Sequence, residues 1–397
     1  MTPASKDIYV VSCVRTAIGV FGGSLKNHAP TELAALCVAE SVKRAGVEPA
    51  QIGHVVFGHV INTEPKDMYL SRVAALEAGL PIETPAMNVN RLCGSGLQAI
   101  VSAAQAIALD ECDLAVAGGS EVMSRAPYLM SFARWGQKMG DAQSVDALVG
   151  ALTDPFGHGH MGVTAENIAR RRHISRKDQD TFAAESHARA ERAIKERRFA
   201  DQVLPVLVKD GKVERVFDID ENVRAGTTVE KLSSLRPVFE MEGSVTAGNA
   251  SSINDGAAAL VLANGDAVSA HNLRPMARIL GWAHAGVEPD EMGIGPVPAV
   301  RKLLERTGLS ISDFDVIESN EAFAAQALAV SHALDFATEK TNPNGGAIAL
   351  GHPVGASGAI IAVKAIYELQ RLKARYALVT MCIGGGQGIA VALERPN

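Results

Sequence analysis

The chain has 397 residues, of which 47% are hydrophobic, 21% charged and only 5% aromatic, with 37 glycines. That length exceeds what one hydrophobic core supports, so two or three domains are expected, and the glycine-rich, aromatic-poor balance favours helices on sheets over a β-sandwich. A formal charge of -6 gives no global attraction to nucleic acid or an anionic membrane, and no uncharged apolar run reaches the roughly 18 residues of a membrane span.

Taken in chain order, Met1-Thr2-Pro3-Ala4-Ser5-Lys6-Asp7 lacks the basic-then-apolar order of a secretory leader, and Glu394-Arg395-Pro396-Asn397 is no peroxisomal tripeptide. The five cysteines, Cys13, Cys37, Cys93, Cys112 and Cys382, never fall in a Cys-x-x-Cys spacing. Disulfide scaffolds and metal sites are therefore not expected, and a reducing cytoplasm is. The apolar run Ile8 to Val14 predicts a buried strand that holds Cys13 as a small hydrophobe. A helix carrying Cys37 is predicted to close on Lys43-Arg44-Ala45, with acidic Glu32 near its start, basic residues at its end and Gly46 as its cap. Val55 to Gly58 predicts a strand. Asn90-Arg91-Leu92-Cys93-Gly94-Ser95-Gly96 then turns through glycines into an apolar helix over Leu97 to Leu109, and Leu114 to Ala117 is a further core strand.

From about Met123 to Ala250 the chain is richer in charge and poorer in strand signals. Its runs Arg170-Arg171-Arg172-His173 and Arg189 to Arg198 are interleaved with Glu185, Glu191 and Glu196, as on solvated helix faces and unlike a nucleic-acid arm. The earlier pattern then returns: a helix closing on Gly308, a strand over Phe314 to Ile317, an apolar helix over Ala359 to Leu369 and a strand over Ala377 to Thr380. A shift of 262 positions (46 to 308, 95 to 357) superposes Gly46 on Gly308 and Ser95-Gly96 on Ser357-Gly358. An α/β protein of two similar βαβ-type halves, packed about a pseudo-twofold axis with an inserted loop domain, is the expectation.

Four segments carry chemistry. Cys93 stands at a helix start, where free backbone N–H groups favour a thiolate and offer an oxyanion donor; a buried structural cysteine is the alternative. His352 lies in Gly351-His352-Pro353-Val354-Gly355, three residues before the repeat partner of Cys93, where a histidine can lower the thiol pKa; surface decoration is its alternative. Cys382 ends a strand before Gly384-Gly385-Gly386 and is either a thiol acid/base or a buried turn residue. These glycines lack the Gly-Lys-Ser/Thr of a phosphate loop. Asn320, in Ser319-Asn320-Glu321-Ala322-Phe323, either holds a water or carbonyl by its amide or caps a helix.

Together these segments make the chain resemble the thiolase family over nearly its whole length. Val14-Arg15-Thr16-Ala17-Ile18-Gly19, Gly118-Gly119-Ser120-Glu121-Val122-Met123-Ser124, His160-Met161-Gly162-Val163-Thr164-Ala165-Glu166-Asn167 and Thr246-Ala247-Gly248-Asn249-Ala250-Ser251 are similar to further family landmarks. The resemblance, nearest to bacterial β-ketothiolases, implies a duplicated thiolase-like fold. Residues 1–122, completed by 252–274, would form the N-terminal half, and 123–251 the loop domain for coenzyme A and oligomer contacts. Residues 275–397 would form the C-terminal half.

The same resemblance implies a reversible Claisen condensation, two acetyl-CoA giving acetoacetyl-CoA and coenzyme A, extending to longer 3-ketoacyl-CoA. Cys93 would be the acyl-accepting nucleophile, His352 its activator and Cys382 the acid/base for the α-proton. Asn320 would fix a water that with His352 binds an enolate oxygen, and the N–H groups of Cys93 and Gly384 would form a second oxyanion hole. Arg224, Ser251, His160, Ala247, Met161 and Phe323 would contact coenzyme A, which is a substrate; no cofactor or metal is implied. A cytoplasmic homotetramer, a dimer of dimers with Ser124 to Gly140 reaching across subunits, is the implied assembly. Ser319, Val122 and Gly157-His158-Gly159 depart from the common pattern, at positions that shape a pocket without doing chemistry. A decarboxylating ketoacyl synthase is the enzymatic alternative, disfavoured by Cys382, and a non-catalytic acyl-CoA carrier is the alternative from another class.

Overall fold

A computed structural model describes residues 7–211 and 213–396. Its main sheet runs from Val316–Ser319 through Tyr376–Ile383, Gln387–Glu394, Ala277–Gly286, Ile8–Thr16, Asn254–Asn264, Leu114–Val122 and His54–Gly58 to Ala86–Val89. The middle of that order is an antiparallel junction in which Tyr9 faces Arg278 and Val10 faces Ala277. Outward from it, each side shows two antiparallel pairings and then a parallel one. The two expected halves are thus two half-sheets of the same construction, joined edge to edge.

The shift found in the sequence holds in three dimensions. It carries the first residue of His54–Gly58 onto the first of Val316–Ser319, and that of Leu114–Val122 onto that of Tyr376–Ile383. The helices Pro30–Ala45 and Pro296–Thr307 both end on a left-handed glycine, Gly46 at φ 69° and Gly308 at φ 71°. A residue with a side chain pays for that backbone, and glycine does not.

Helices Ser95–Ala108 and Val354–Leu372 pack on one another, and the second also touches strands of both halves. They cross backbone to backbone. A Cβ on Gly96 would lie 2.7 Å from the Ala359 nitrogen, and one on Gly358 would lie 2.3 Å from the Leu97 nitrogen. These two glycines are partners under the repeat. Val354–Leu372 starts earlier than its predicted Ala359 because Val354-Gly355-Ala356-Ser357-Gly358 reads locally as loop. Its glycines answer to the crossing, so tertiary packing overrides propensity there.

The inserted region contains helices Met161–Arg171 and Arg176–Lys195 and a hairpin of Val206–Asp210 with Val213–Phe217. It is tied to the first strand by a fully buried bidentate pair, Arg15 to Asp220 at 2.7 and 2.9 Å. Removing one partner of such a pair costs about 3–5 kcal/mol, because the other charge is stranded. Its cationic runs are paired with carboxylates, Arg170 with Glu240, Arg171 with Asp290, Arg189 with Glu185 and Arg198 with Glu196. Among the described residues no helix is long and apolar enough to cross a membrane.

Two glycine substitutions should therefore differ sharply. Gly46→Ala meets open space and pays only for its backbone angle, about 1 kcal/mol, whereas Gly358→Ala drives a methyl into the partner helix and costs about 3 kcal/mol or more. Urea unfolding midpoints of the two variants measure the difference; equal midpoints would contradict the backbone crossing.

Candidate active site

Cys93 lies in the turn between strand Ala86–Val89 and helix Ser95–Ala108. Ser95 ties this turn, its hydroxyl accepting from Arg91 N at 2.9 Å and donating to Leu92 O at 2.6 Å. Leu92 is held at φ 45°, a left-handed backbone that a branched side chain rarely takes, so the turn is locally strained at the residue before the thiol.

Cys382 ends strand Tyr376–Ile383 and is buried, facing Gly388 across the hairpin. The glycines after it are required by the turn. Gly385 and Gly386 have φ near 80° and 84°, and a Cβ on Gly386 would lie 2.3 Å from Val287 O. This turn sets the N–H of Gly384, with that of Cys93, on the side of the Cys93 thiol, where both favour its charged form.

His352 comes from the loop before helix Val354–Leu372, its own N–H donating to Asn254 Oδ1 at 2.8 Å. The Ser357 hydroxyl donates to Pro353 O, so its oxygen accepts from His352 Nδ1 at 2.6 Å. That bond assigns the proton to Nδ1 and leaves Nε2 as an acceptor, toward which Asn320 Nδ2 points at 3.4 Å. Asn320 follows strand Val316–Ser319, and its Oδ1 has no protein partner. It caps no helix: the helix after it runs Ala324–Leu334, with Phe323 at its cap. The loop is braced from behind by a buried Lys364–Glu318 pair at 2.7 Å and by Glu321, which accepts from Ser186 and Asn342.

One cavity of about 670 Å³ gathers this chemistry. Cys93, His352, Cys382, Gly384, Arg224, Ser251, His160, Ala247, Met161 and Phe323 all line it, and Asn320 reaches it through His352. The cavity runs from exposed Arg224 and Ala247 at its mouth to buried Cys382 at its floor. His160 caps helix Met161–Arg171 by accepting from Gly162 N, and its ring stacks on Phe239 at 4.8 Å. Phe239 meets Phe323 edge-on at 6.2 Å, making an aromatic wall. Sequence reasoning did not single out Phe239 or Met292, which also line the cavity. Phe239 stands in no periodic or glycine-marked segment, and Met292, although followed by Gly293 and Gly295, lies outside the repeat landmarks that drew attention to the other residues.

The electrostatics correct one expectation. Burial pushes the Cys93 thiol above its usual range; the Gly384 and Cys93 N–H groups oppose this, and nearby Glu121 adds to it. Cys382 is pushed up by burial and by Cys93, and burial lowers His352 to about 4. At neutral pH the site therefore rests as two thiols and a neutral imidazole. Desolvation outweighs the two N–H groups that favour a thiolate at the helix start. Among the described residues no group of three or more His, Cys, Asp or Glu side chains is placed to hold a metal ion.

Two half-sheets that each deliver a thiol into one cavity, beside a histidine and paired N–H donors, define an enzyme of acyl transfer through cysteine. The chain belongs to the thiolase family: the thiolase N-terminal domain matches residues 8–266 and the thiolase C-terminal domain residues 273–395. It is 59% identical to beta-ketothiolase BktB of Cupriavidus necator over 98% of this chain and 100% of that protein. It is 47% identical to an acetyl-CoA acetyltransferase of Pseudomonas aeruginosa over the same shares. The crystal structure of human mitochondrial 3-ketoacyl-CoA thiolase in complex with CoA superposes with a TM-score of 0.96, at 43% identity and 98% coverage of both chains. The protein is accordingly an acyltransferase of the duplicated thiolase fold. The decarboxylating alternative finds no support among these relatives.

Because the Cys93 pKa is raised, its alkylation by iodoacetamide should keep rising through pH 9, with a midpoint above that of a free thiol. Cys93 lines the cavity whereas Cys13 and Cys37 have no exposed surface, so peptide mapping should find Cys93 modified before either. A midpoint near or below neutrality would show a resting thiolate.

Proposed function

We propose that the enzyme catalyses reversible condensation of acyl-CoA thioesters, two acetyl-CoA to acetoacetyl-CoA and coenzyme A, and acts on longer 3-ketoacyl-CoA as well. The observation that carries this reading is the convergence of Cys93, Cys382 and the acceptor Nε2 of His352 on one cavity. Condensation needs both a nucleophile to hold the acyl group and a separate base for the α-carbon.

The resting protonation states support a closed proton cycle. Cys93 Sγ attacks the thioester carbon as its proton passes to His352 Nε2. The bond to the coenzyme A sulfur breaks, and that sulfur takes the Cys382 proton as it leaves. Acyl-Cys93, imidazolium and Cys382 thiolate remain. Cys382 then removes the α-proton of a second acetyl-CoA, while His352 and a water held by Asn320 bind the enolate oxygen. The carbanion attacks the acyl carbon, whose oxyanion is held by the N–H groups of Cys93 and Gly384. Collapse expels Cys93, which recovers its proton from His352. Thiolysis runs these steps backward.

Ala247, Ser251, His160, Met161 and Phe323 are assigned to the arm of coenzyme A between mouth and floor and Arg224 to its adenine nucleotide, and no further cofactor enters the cycle. Residues 1–122 with 252–274, 123–251 and 275–397 are taken as the three functional parts. A cytoplasmic homotetramer is the assembly assigned, supported by the exposed apolar side chains Tyr128, Trp135 and Met139 within the segment Ser124 to Gly140.

The two thiols should fail at different steps. In Cys382→Ala, acetyl-CoA should still add an acetyl mass to Cys93, more slowly because the leaving sulfur has lost its proton donor, while acetoacetyl-CoA turnover falls about a hundredfold or more, as for loss of a general base. In Cys93→Ala both should vanish. Near-normal turnover in Cys382→Ala would sink the two-thiol mechanism. Arg224→Ala should raise KM for coenzyme A with kcat little changed, as for an interaction equally strong in ground and transition states. A lowered kcat at unchanged KM would place Arg224 elsewhere.

A further inference from the structure

Glu121, in the segment Gly118-Gly119-Ser120-Glu121 near the end of strand Leu114–Val122, is fully buried and has no part in the cycle above. Its carboxylate gathers backbone donors from both halves of the molecule. Oε1 accepts from Ile61 N at 3.1 Å, and Oε2 accepts from Val60 N at 3.1 Å and Gly355 N at 2.9 Å. Burial pushes this carboxyl above its ordinary range, while His59 and the three N–H groups pull it back; with no acceptor opposite either oxygen among these contacts, the hydrogen bonds are those an ionised carboxylate makes. His59 lies 3.4 Å from Oε1 through Nδ1, which also meets Ser120 O at 2.9 Å, and on its far side Asp67 stands 3.9 Å from Nε2.

Gly355 makes this bond informative. It follows Val354 at the start of the helix that the His352 loop enters, and by the internal repeat it corresponds to Cys93. The backbone N–H of Cys93 faces the reacting sulfur, whereas the N–H at the corresponding position of the other half is filled by the Glu121 carboxylate. No side chain fits between them, since a Cβ on Gly355 would lie 2.4 Å from Glu121 Oε2. The Gly355 carbonyl in turn lies where side chains on Gly58 and Gly119 would be, 2.7 and 2.4 Å from their Cβ positions. Carbonyl and N–H of this one peptide segment are both seated against the N-terminal half.

We propose that Glu121 is a positioning residue for the reaction: its carboxylate occupies the second, pseudo-symmetric N–H site of the duplicated fold as a built-in anion. There it pins the start of the His352 helix to the half that carries Cys93. The proposal rests on the assignment of Cys93 and His352 as the reacting pair. Duplication supplied two helix starts able to receive an anion, and only one is left for substrate. Cys382, His352 and the N–H groups of Cys93 and Gly384 stand around Cys93, with the Glu121 charge acting on it from behind the Gly355 segment; the groups facing Glu121 are His59, Gly355, Val60 and Ile61.

Glu121→Gln keeps the shape but turns an NH2 toward a backbone donor and removes the charge. In folded protein we expect kcat to fall about tenfold to a hundredfold, the scale of a misplaced catalytic group, with KM for coenzyme A within about twofold. The iodoacetamide midpoint of Cys93 should move to lower pH, because a negative charge near the sulfur is gone; a merely structural loss would not move it that way. Glu121→Asp keeps the charge on a shorter arm. It should retain the parent midpoint and lose less kcat, and it decides the matter by the same measures if the Gln variant does not fold. A kcat within about twofold of the parent, a proportional rise in KM, or an unmoved midpoint in Glu121→Gln would overturn the proposal. Acetylation of Cys93 is followed in the parent at the same time, so a wrong nucleophile shows in the parent and a wrong role for Glu121 only in the variants.

Discussion

The close crossing of helices Ser95–Ala108 and Val354–Leu372 is the constraint on which the rest of the molecule depends. Each helix begins beside a reacting group, Cys93 on one and His352 on the other, so both starts must reach the same cavity. Two helices with ordinary side chains at the crossing would stand 8–10 Å apart, which would separate those starts. Glycine at the two repeat-related positions lets the backbones meet. What the fold gives up in helix propensity at these glycines it regains as fixed geometry between halves.

From that crossing the electrostatics follow. A cavity floored by buried helix starts and strand ends has a lower local dielectric than water, and that works in two directions. It raises both thiols and lowers His352 to about 4, so the three groups that would react stand uncharged until substrate brings a carbonyl. It also strengthens any N–H aimed at a developing oxyanion. The site is organised around charges that appear during reaction and are absent at rest.

Much of this was legible in the amino-acid order, for identifiable reasons. Gly46 and Gly308 could be read as caps because a left-handed residue leaves a local signature, and the shift they share located the partner strands and helices. Cys93, His352, Cys382 and Asn320 were found because each sits beside glycines or a strand end, and the structure brings them to one place. What was not legible depends on distant partners. The early start of Val354–Leu372 is fixed by a helix more than two hundred residues away in sequence, and Phe239 matters only because His160 lies against its face. The balance at Cys93 was only half legible, because a helix start that favours a thiolate is visible in sequence, whereas the desolvation that opposes it is a property of the folded cavity.

The raised Cys93 pKa also bears on how the enzyme survives in a cell. Peroxides and other soft oxidants attack sulfur as thiolate, and a sulfur held as thiol presents little of that form. An enzyme that kept its nucleophile permanently charged would be open to sulfenic acid formation whenever its cavity stood empty. Because burial raises the Cys93 thiol, the empty cavity presents less thiolate, the form that soft oxidants attack, than an exposed cysteine would.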